Sequence, residues 1–386
     1  MTRRLQLCAA ALAVLVAGCQ LLSDGYRKMF GNPAPKPAEL VSIAQPRAAL
    51  RIAWQGSVGP ADRNVYFPAR SGTVVWAASA AGSVVGFDMA RGTPTARIEA
   101  GEQVSGGVGA GAGLVLLGTP RGEVLAFDPV GKLAWKAQLS SAVLAPPQAQ
   151  QGIVVARAGD GHVYGLDAAT GKQRWVYQRT APALSVRTHA GVVIDRGGVF
   201  VGFPAGRLVA LALSNGNVGW EAVVALPRGA TELERVADIS SPPVMDSGRI
   251  CAAAFQGRVA CLDAARGTTL WARDMSSIAG IGVDDRYLYV TDDKDAVVAL
   301  DKSNGASIWR QDRMARRSVS GPLPIGRYVA VGDLEGYVHL LSRDDGSFAA
   351  RIATDGSAIL APPVAIDMST FLVQTRNGGV YAITIQ

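Results

Sequence analysis

The chain has 386 residues, 49% hydrophobic and only 18% charged, with 45 Gly, 20 Pro and 4 Cys. That apolar content excludes a disordered chain, and four cysteines over this length exclude a disulfide-built scaffold. The Gly and Pro content favours one large all-β unit with many tight turns. The formal charge of +7 comes from 38 Lys and Arg that are scattered, never in runs longer than a pair, so it points to solubility and not to nucleic-acid binding.

Residues 1–18 read as a signal peptide. Arg3 and Arg4 precede an apolar stretch over 5–16 and then small residues; the stretch is too short to span a bilayer of roughly 30 Å. Leu15-Val-Ala-Gly-Cys19 resembles the bacterial lipobox, which implies that Cys19 becomes the first residue of the mature chain and carries the lipid. The alternative is an ordinary secretory signal beside a chance cysteine. Gln20 is compatible with sorting to the outer membrane. Loss of Arg3 and Arg4 with the leader takes the formal charge from +7 to +5. Residues 19–48 read as a lipidated tether, because Asn32-Pro-Ala-Pro-Lys-Pro37 favours extended, polyproline-like backbone; a short helix over 21–30 is the alternative.

Residues 49–386 repeat. Gly82-Ser-Val-Val-Gly-Phe-Asp88 recurs as Gly122-Glu-Val-Leu-Ala-Phe-Asp128, Gly161-His-Val-Tyr-Gly-Leu-Asp167, Gly206-Arg-Leu-Val-Ala-Leu-Ala212 and Gly257-Arg-Val-Ala-Cys-Leu-Asp263. Degraded copies end at Asp301, Ser342 and Thr384, and the intervals are 40, 39, 45, 51, 38, 41 and 42 residues. This period is near the length of one four-stranded propeller blade, so eight copies predict an eight-bladed β-propeller. The Gly opens a hairpin, the apolar residues form a strand buried on both faces, and the Asp accepts hydrogen bonds from the turn that follows.

Four residues beyond the Gly that ends that turn stands an indole, at Trp175, Trp220, Trp271 and Trp309, and at Trp135, which is one residue early when counted from the Asp. Each is expected to cover the joint to the next blade as core. Ala145-Pro-Pro147, Ser241-Pro-Pro243, Gly321-Pro-Leu323 and Ala361-Pro-Pro363 would begin innermost strands, where proline is tolerated at an edge. The eighth copy lacks its Trp strand, and Leu50-Arg-Ile-Ala-Trp54 fits as that strand. The N-terminal strand should therefore join the last blade and close the ring.

Leu166-Asp-Ala-Ala-Thr-Gly-Lys-Gln-Arg-Trp175 resembles the PQQ-like, tryptophan-docking repeat of quinoprotein dehydrogenases and their relatives, a likeness of fold that leaves function open. A lipobox, a Pro-rich tether and eight such blades together resemble the BamB family, lipoprotein β-propellers of the machinery that assembles outer-membrane β-barrel proteins. That resemblance covers nearly the whole chain. It implies a non-catalytic scaffold, lipid-anchored on the periplasmic face of the outer membrane and present as a monomeric subunit of a hetero-complex. Its implied partners are the POTRA domains of the central barrel subunit and unfolded barrel clients.

Two repeat intervals are long. Those ending at Ala212 and Asp263 exceed the common spacing by roughly 6 and 12 residues, and the additions hold 183–188 and 230–240. Both fall between an outer strand and the next blade's inner strand in consecutive blades, so they should be neighbours on one face. In the BamB family this patch, with a Leu-x-Leu-Arg run and a nearby Asp-x-Asp, is implicated in POTRA docking. The likeness carries over to Leu184, Val186, Arg187 and Asp238, with Val186 in place of the second Leu and Ser240 in place of the second acid. An exposed apolar pair beside an Arg is hot-spot composition; the bland alternative is long surface loops that cost little and do nothing.

Enzymatic readings find little support. His162, His189 and His339 are scattered and read as satisfied structural histidines. Quinoprotein dehydrogenases hold calcium with carboxylate and amide ligands and carry an adjacent Cys-Cys pair over the quinone, neither of which is evident here. The recurring aspartates are turn residues, which leaves no obvious acid and base. No cofactor or metal is expected; a small periplasmic PQQ-dependent dehydrogenase or a ligand-binding propeller are the alternatives. Cys251 and Cys261 flank the Gly257 turn symmetrically, so a hairpin would set them opposite each other, either as a cross-strand disulfide or as two buried thiols.

Overall fold

A computed structural model describes residues 36–386 except 180, 181 and 183. The leader over 1–18, Cys19 and residues 20–35 lie outside the described residues. Thirty-two strands among the described residues form eight antiparallel four-stranded sheets. The eight sheets are the blades of a propeller.

Blade 3 shows how the repeat becomes structure. Its strands are Gln148–Gln150, Ile153–Arg157, Val163–Asp167 and Gln173–Tyr177, from the innermost outward. The heptad supplies the third strand, buried from Val163 to Leu166, and Pro146 and Pro147 stand directly before the first. The seven-residue run of apolar and small positions forms a strand covered on both faces because a blade packs on each side of it. Asp167 then accepts from the amides of Ala169 and Thr170 at 3.1 and 3.0 Å, which folds the turn.

The indoles fasten neighbouring blades together. Nε1 of Trp54, Trp135, Trp175, Trp220, Trp271 and Trp309 each donates to a turn carbonyl of the following blade, at 2.8–2.9 Å. Gly216 of that turn has φ +73°, and a Cβ on it would lie 2.6 Å from the Trp175 ring, so backbone and indole can meet only at a glycine. Trp54 sits on Leu50–Ser57, which pairs with Gly379–Ile385 in blade 8, and its indole reaches Met89 in blade 1. The N-terminal strand thus completes the last blade and closes the ring. At the same register position blades 1 and 7 carry Ala96 and Ala350.

Cores sit between adjacent blades. Cys251, Val259 and Trp271 of blade 5 cluster with Leu288, Val290 and Val298 of blade 6. Residues Ala38–Gln386 form one compact unit, and its first dozen residues run along blade 7. There the Ala38 amide donates to Ala315 O at 2.9 Å and the Arg47 amide to Ala349 O at 3.0 Å.

Candidate partner-docking site

The two long connections lie side by side. One runs from Gln173–Tyr177 of blade 3 to Val192–Asp195 of blade 4, and the other from Val218–Val223 of blade 4 to Val244–Asp246 of blade 5. The Val186 amide donates to Asp238 Oδ2 at 2.7 Å. The Thr188 hydroxyl donates to Ser240 O. The Ala205 amide donates to Asp238 Oδ1 at 3.0 Å, which ties the pair to the blade 4 hairpin.

The four candidate residues therefore play different parts. Leu184 is 46% exposed and Arg187 is exposed, while Val186 is half-buried. Asp238 is only 2% exposed, and both of its carboxylate oxygens accept backbone amides, so it holds the first loop from beneath. Ser240, at the second acid position, is likewise buried and donates to Ser277 O at 3.3 Å.

Arg157 went unnoticed in the sequence. It ends the second strand of blade 3, donates to Ala190 O at 3.0 Å and lies 5.5 Å over the Phe203 ring. Burial pulls its guanidinium down to about 10, opposed by the charge of Asp238, so it stays cationic at neutral pH under a loop whose acid is that same Asp238. The available signal was its position. Other blades place Ala78, Gly118, Ala253 or Thr291 there, before the heptad strand.

Two more residues extend the exposed surface. Leu226 is 61% and Leu233 71% exposed on the second loop. A one-turn cap shapes that loop: Glu234 Oε2 accepts from the amides of Ala230 and Thr231 at 2.8 and 3.1 Å, and the Glu234 amide donates to Thr231 Oγ1 at 3.3 Å. These amide bonds hold the Glu234 carboxyl below its ordinary range. With the loop backbone fixed this way, its leucines face water at little ordering cost on binding.

Eight repeats, indole-fastened joints and a ring closed by the N-terminal strand define a PQQ-like β-propeller. A family model described as "Outer membrane protein assembly factor BamB" matches residues 61–311 and 297–386. A protein of that name from Nitrosomonas eutropha is 41% identical over 394 residues, covering 100% of this chain and 96% of that one. The crystal structure of BamB from Moraxella catarrhalis matches with a TM-score of 0.80 at 26% identity, covering 87% of this chain and 100% of that chain. The chain belongs to the BamB family. A quinohemoprotein alcohol dehydrogenase from Comamonas testosteroni shares the fold alone, with a TM-score of 0.70 at 13% identity, over 87% of this chain and 76% of that one.

The residues present do not fit the calcium and quinone of such dehydrogenases. Among the described residues no three His, Cys, Asp or Glu are grouped to hold a metal ion. Cys251 and Cys261 are ten residues apart, joined as a disulfide across blade 5, and 3% and 0% exposed in the cluster between blades 5 and 6. They are register partners with Cα atoms 4.0 Å apart, the close spacing of a non-hydrogen-bonded antiparallel pair.

Proposed function

We propose that this chain is a non-catalytic assembly factor of the outer membrane, docking POTRA domains of the barrel-assembly subunit through the paired loops. The observation that carries the reading is the tie between the loops, in which Val186 and Thr188 are bonded to Asp238 and Ser240. It makes two insertions one preformed surface carrying Leu184, Arg187, Leu226 and Leu233. An apolar surface with one guanidinium, rigid before it binds, is the composition and the condition of a hot spot. Asp238 serves this surface by positioning it.

The anchor belongs to the same proposal. Residues 1–18 are removed, Cys19 carries the lipid, and residues 19–48 lead from the membrane's periplasmic face to the propeller. One copy joins a hetero-complex, and unfolded barrel clients are secondary partners.

Co-purification of Arg187→Glu and Leu184→Asp with the barrel subunit tests the site. Recovery is expected to fall at least about tenfold for each, as loss of a central interface contact of about 1.4 kcal/mol or more requires. Undiminished recovery removes the site, and partner-free recovery of the unmutated protein removes the function. Replacing residues 1–19 by a secretory leader that is cleaved without acylation should move the protein from the membrane to the soluble periplasmic fraction.

A further inference from the structure

The ring encloses a cavity on its axis. At the mouth, a space of about 360 Å³ is lined by Phe67 ahead of blade 1, Arg187 and His189 ahead of blade 4, Ser241 ahead of blade 5, Ile278 ahead of blade 6 and Pro362 ahead of blade 8. Blades 1 and 5 are opposite in a ring of eight, so one cavity touching both spans the channel. A second space of about 430 Å³ shares Phe67, His189 and Pro242 with the first and continues past Val108 and Ile194. Each lies in the roughly 300–1,000 Å³ range of small-ligand sites.

Two features give this channel a chemistry. Among the described residues no Asp or Glu lines either space, whereas Arg187 lines the first and Arg70 the second. Arg70 is engaged, donating to Ala365 O at 3.1 Å, but Arg187 makes no hydrogen bond or ion pair with any described residue. Burial, and then the charge of Arg187, hold the His189 imidazole below its ordinary range. It is therefore neutral at pH 7 and leaves the Arg187 guanidinium as the charge at the mouth among the described lining residues.

We infer that the axial channel is a binding site for a carboxylate bearing an unbranched apolar tail. The carboxylate sits on the planar fork of Arg187, whose donors match two carboxylate oxygens. The tail runs inward along Phe67, Ile278 and Pro362 and on towards Val108 and Ile194. Two adjacent spaces that share Phe67, His189 and Pro242 in their walls favour an elongated tail over a compact one, and described walls without carboxylates favour an anion over a cation.

Isothermal titration of the full mature chain, with Cys19→Ser leaving out only the lipid, tests this with octanoate, 1-octanol and octylammonium. Octanoate should bind at least about tenfold more tightly than octanol, the difference that one charge-assisted hydrogen bond supplies, and octylammonium should not bind. Arg187→Gln should weaken octanoate by about tenfold or more and leave octanol unchanged. Arg187 is exposed and bonded to nothing described, so this substitution does not threaten the fold. Leu184→Asp, outside the channel, should leave octanoate binding intact while weakening partner docking at least about tenfold, so failure of one reading is distinguishable from failure of the other. Equal affinity for octanol and octanoate, no octanoate binding up to roughly 10 mM, or octanoate binding indifferent to Arg187→Gln overturns the inference.

Discussion

Asp238 Oδ2 accepts the Val186 amide at 2.7 Å across 52 positions of sequence, while its Oδ1 accepts the Ala205 amide. One buried carboxylate thereby fixes the loop that carries Leu184 and Arg187 and faces the charge of buried Arg157. Asp238→Ala leaves two part-buried amides without their acceptor and removes the charge that faces Arg157, and should cost about 1–3 kcal/mol in chemical denaturation, as stripping a buried acceptor from its donors does. Asp238→Asn keeps one acceptor oxygen and should cost less. Both should weaken partner docking although the side chain is out of a partner's reach; docking unchanged in Asp238→Ala would show that the loop does not depend on this bond.

The indoles set a second expectation. Trp271 packs against Gly305, and its Nε1 donates to Lys302 O in blade 6. Trp271→Ala removes that bond and the ring from the joint, and should cost about 3–5 kcal/mol, with Trp271→Phe recovering part of it. The joints after Ala96 and Ala350 have no indole to lose. At the second of these, Ala48, Leu50 and Ile52 pack against the cluster that contains Ala350. Hydrogen exchange should show the joint between blades 1 and 2 opening before the joint between blades 5 and 6; the reverse order would mean that the indoles do not set blade cohesion.

Much of this architecture was legible because it repeats. The heptads ending at Asp88, Asp167 and Asp263 became third strands, the indoles became joints, and Leu50–Ser57 closed the ring. What could not be read was whatever lacks a period. Asp238 stands out in sequence only through the family resemblance, as part of a docking face, and only the pairing of two loops from different blades buries it beneath that face. Arg157 is one charge in a strand, and its partners Ala190 and Phe203 lie 33 and 46 positions away. Carbonyls of 38–49 are held by arginines nearly 300 residues later, a relation that local composition does not encode.

Those arginines belong to a buried network with its own pH dependence. Arg317 Nη1 donates to Ala38 O at 2.8 Å and Arg351 Nη1 to Val41 O at 2.9 Å. Behind them, fully buried His339 faces Asp333 Oδ2 through Nε2 at 2.8 Å and accepts from Arg351 Nε at Nδ1, 3.1 Å away. An accepting Nδ1 requires a neutral ring. Burial holds His339 below its ordinary value against the pull of Asp333, with Arg351 and Arg317 adding to the depression. Glu335 bonds Arg317 from the outside, and the rings of Tyr337 and Phe348 flank the imidazole.

The sign follows from linkage. Below about pH 6.5 an unfolded His takes up a proton that folded His339 does not, so stability is lost as pH falls through that value. Asp333 is also lowered, despite a desolvation that pushes it up, by His339, the Tyr337 amide and Arg317; its contribution is lost only below about pH 4. Between pH 7 and 5 the unfolding free energy should therefore fall, and less steeply in His339→Gln. His189, also lowered by burial, acts in the same direction and accounts for the slope that remains. Once His339 is protonated, Nδ1 no longer accepts from Arg351, and protease cleavage within 38–49 should rise. Equal slopes for wild type and His339→Gln would remove His339 from the account.

The bridge between Cys251 and Cys261 gives the last test. It links strands Arg249–Ala253 and Arg258–Asp263 of blade 5. Iodoacetamide under denaturing conditions should modify neither cysteine without reductant and both after reduction, read by mass on the peptides that contain them. Modification before reduction would show free thiols. Because the bridge closes a loop of ten residues, it acts chiefly by restricting the unfolded chain, a contribution of about 2–3 kcal/mol. The double substitution of both cysteines by alanine should therefore lower the denaturation midpoint. It should leave partner docking unchanged, since neither sulfur touches the loops and the folded hairpin keeps its register without the bridge.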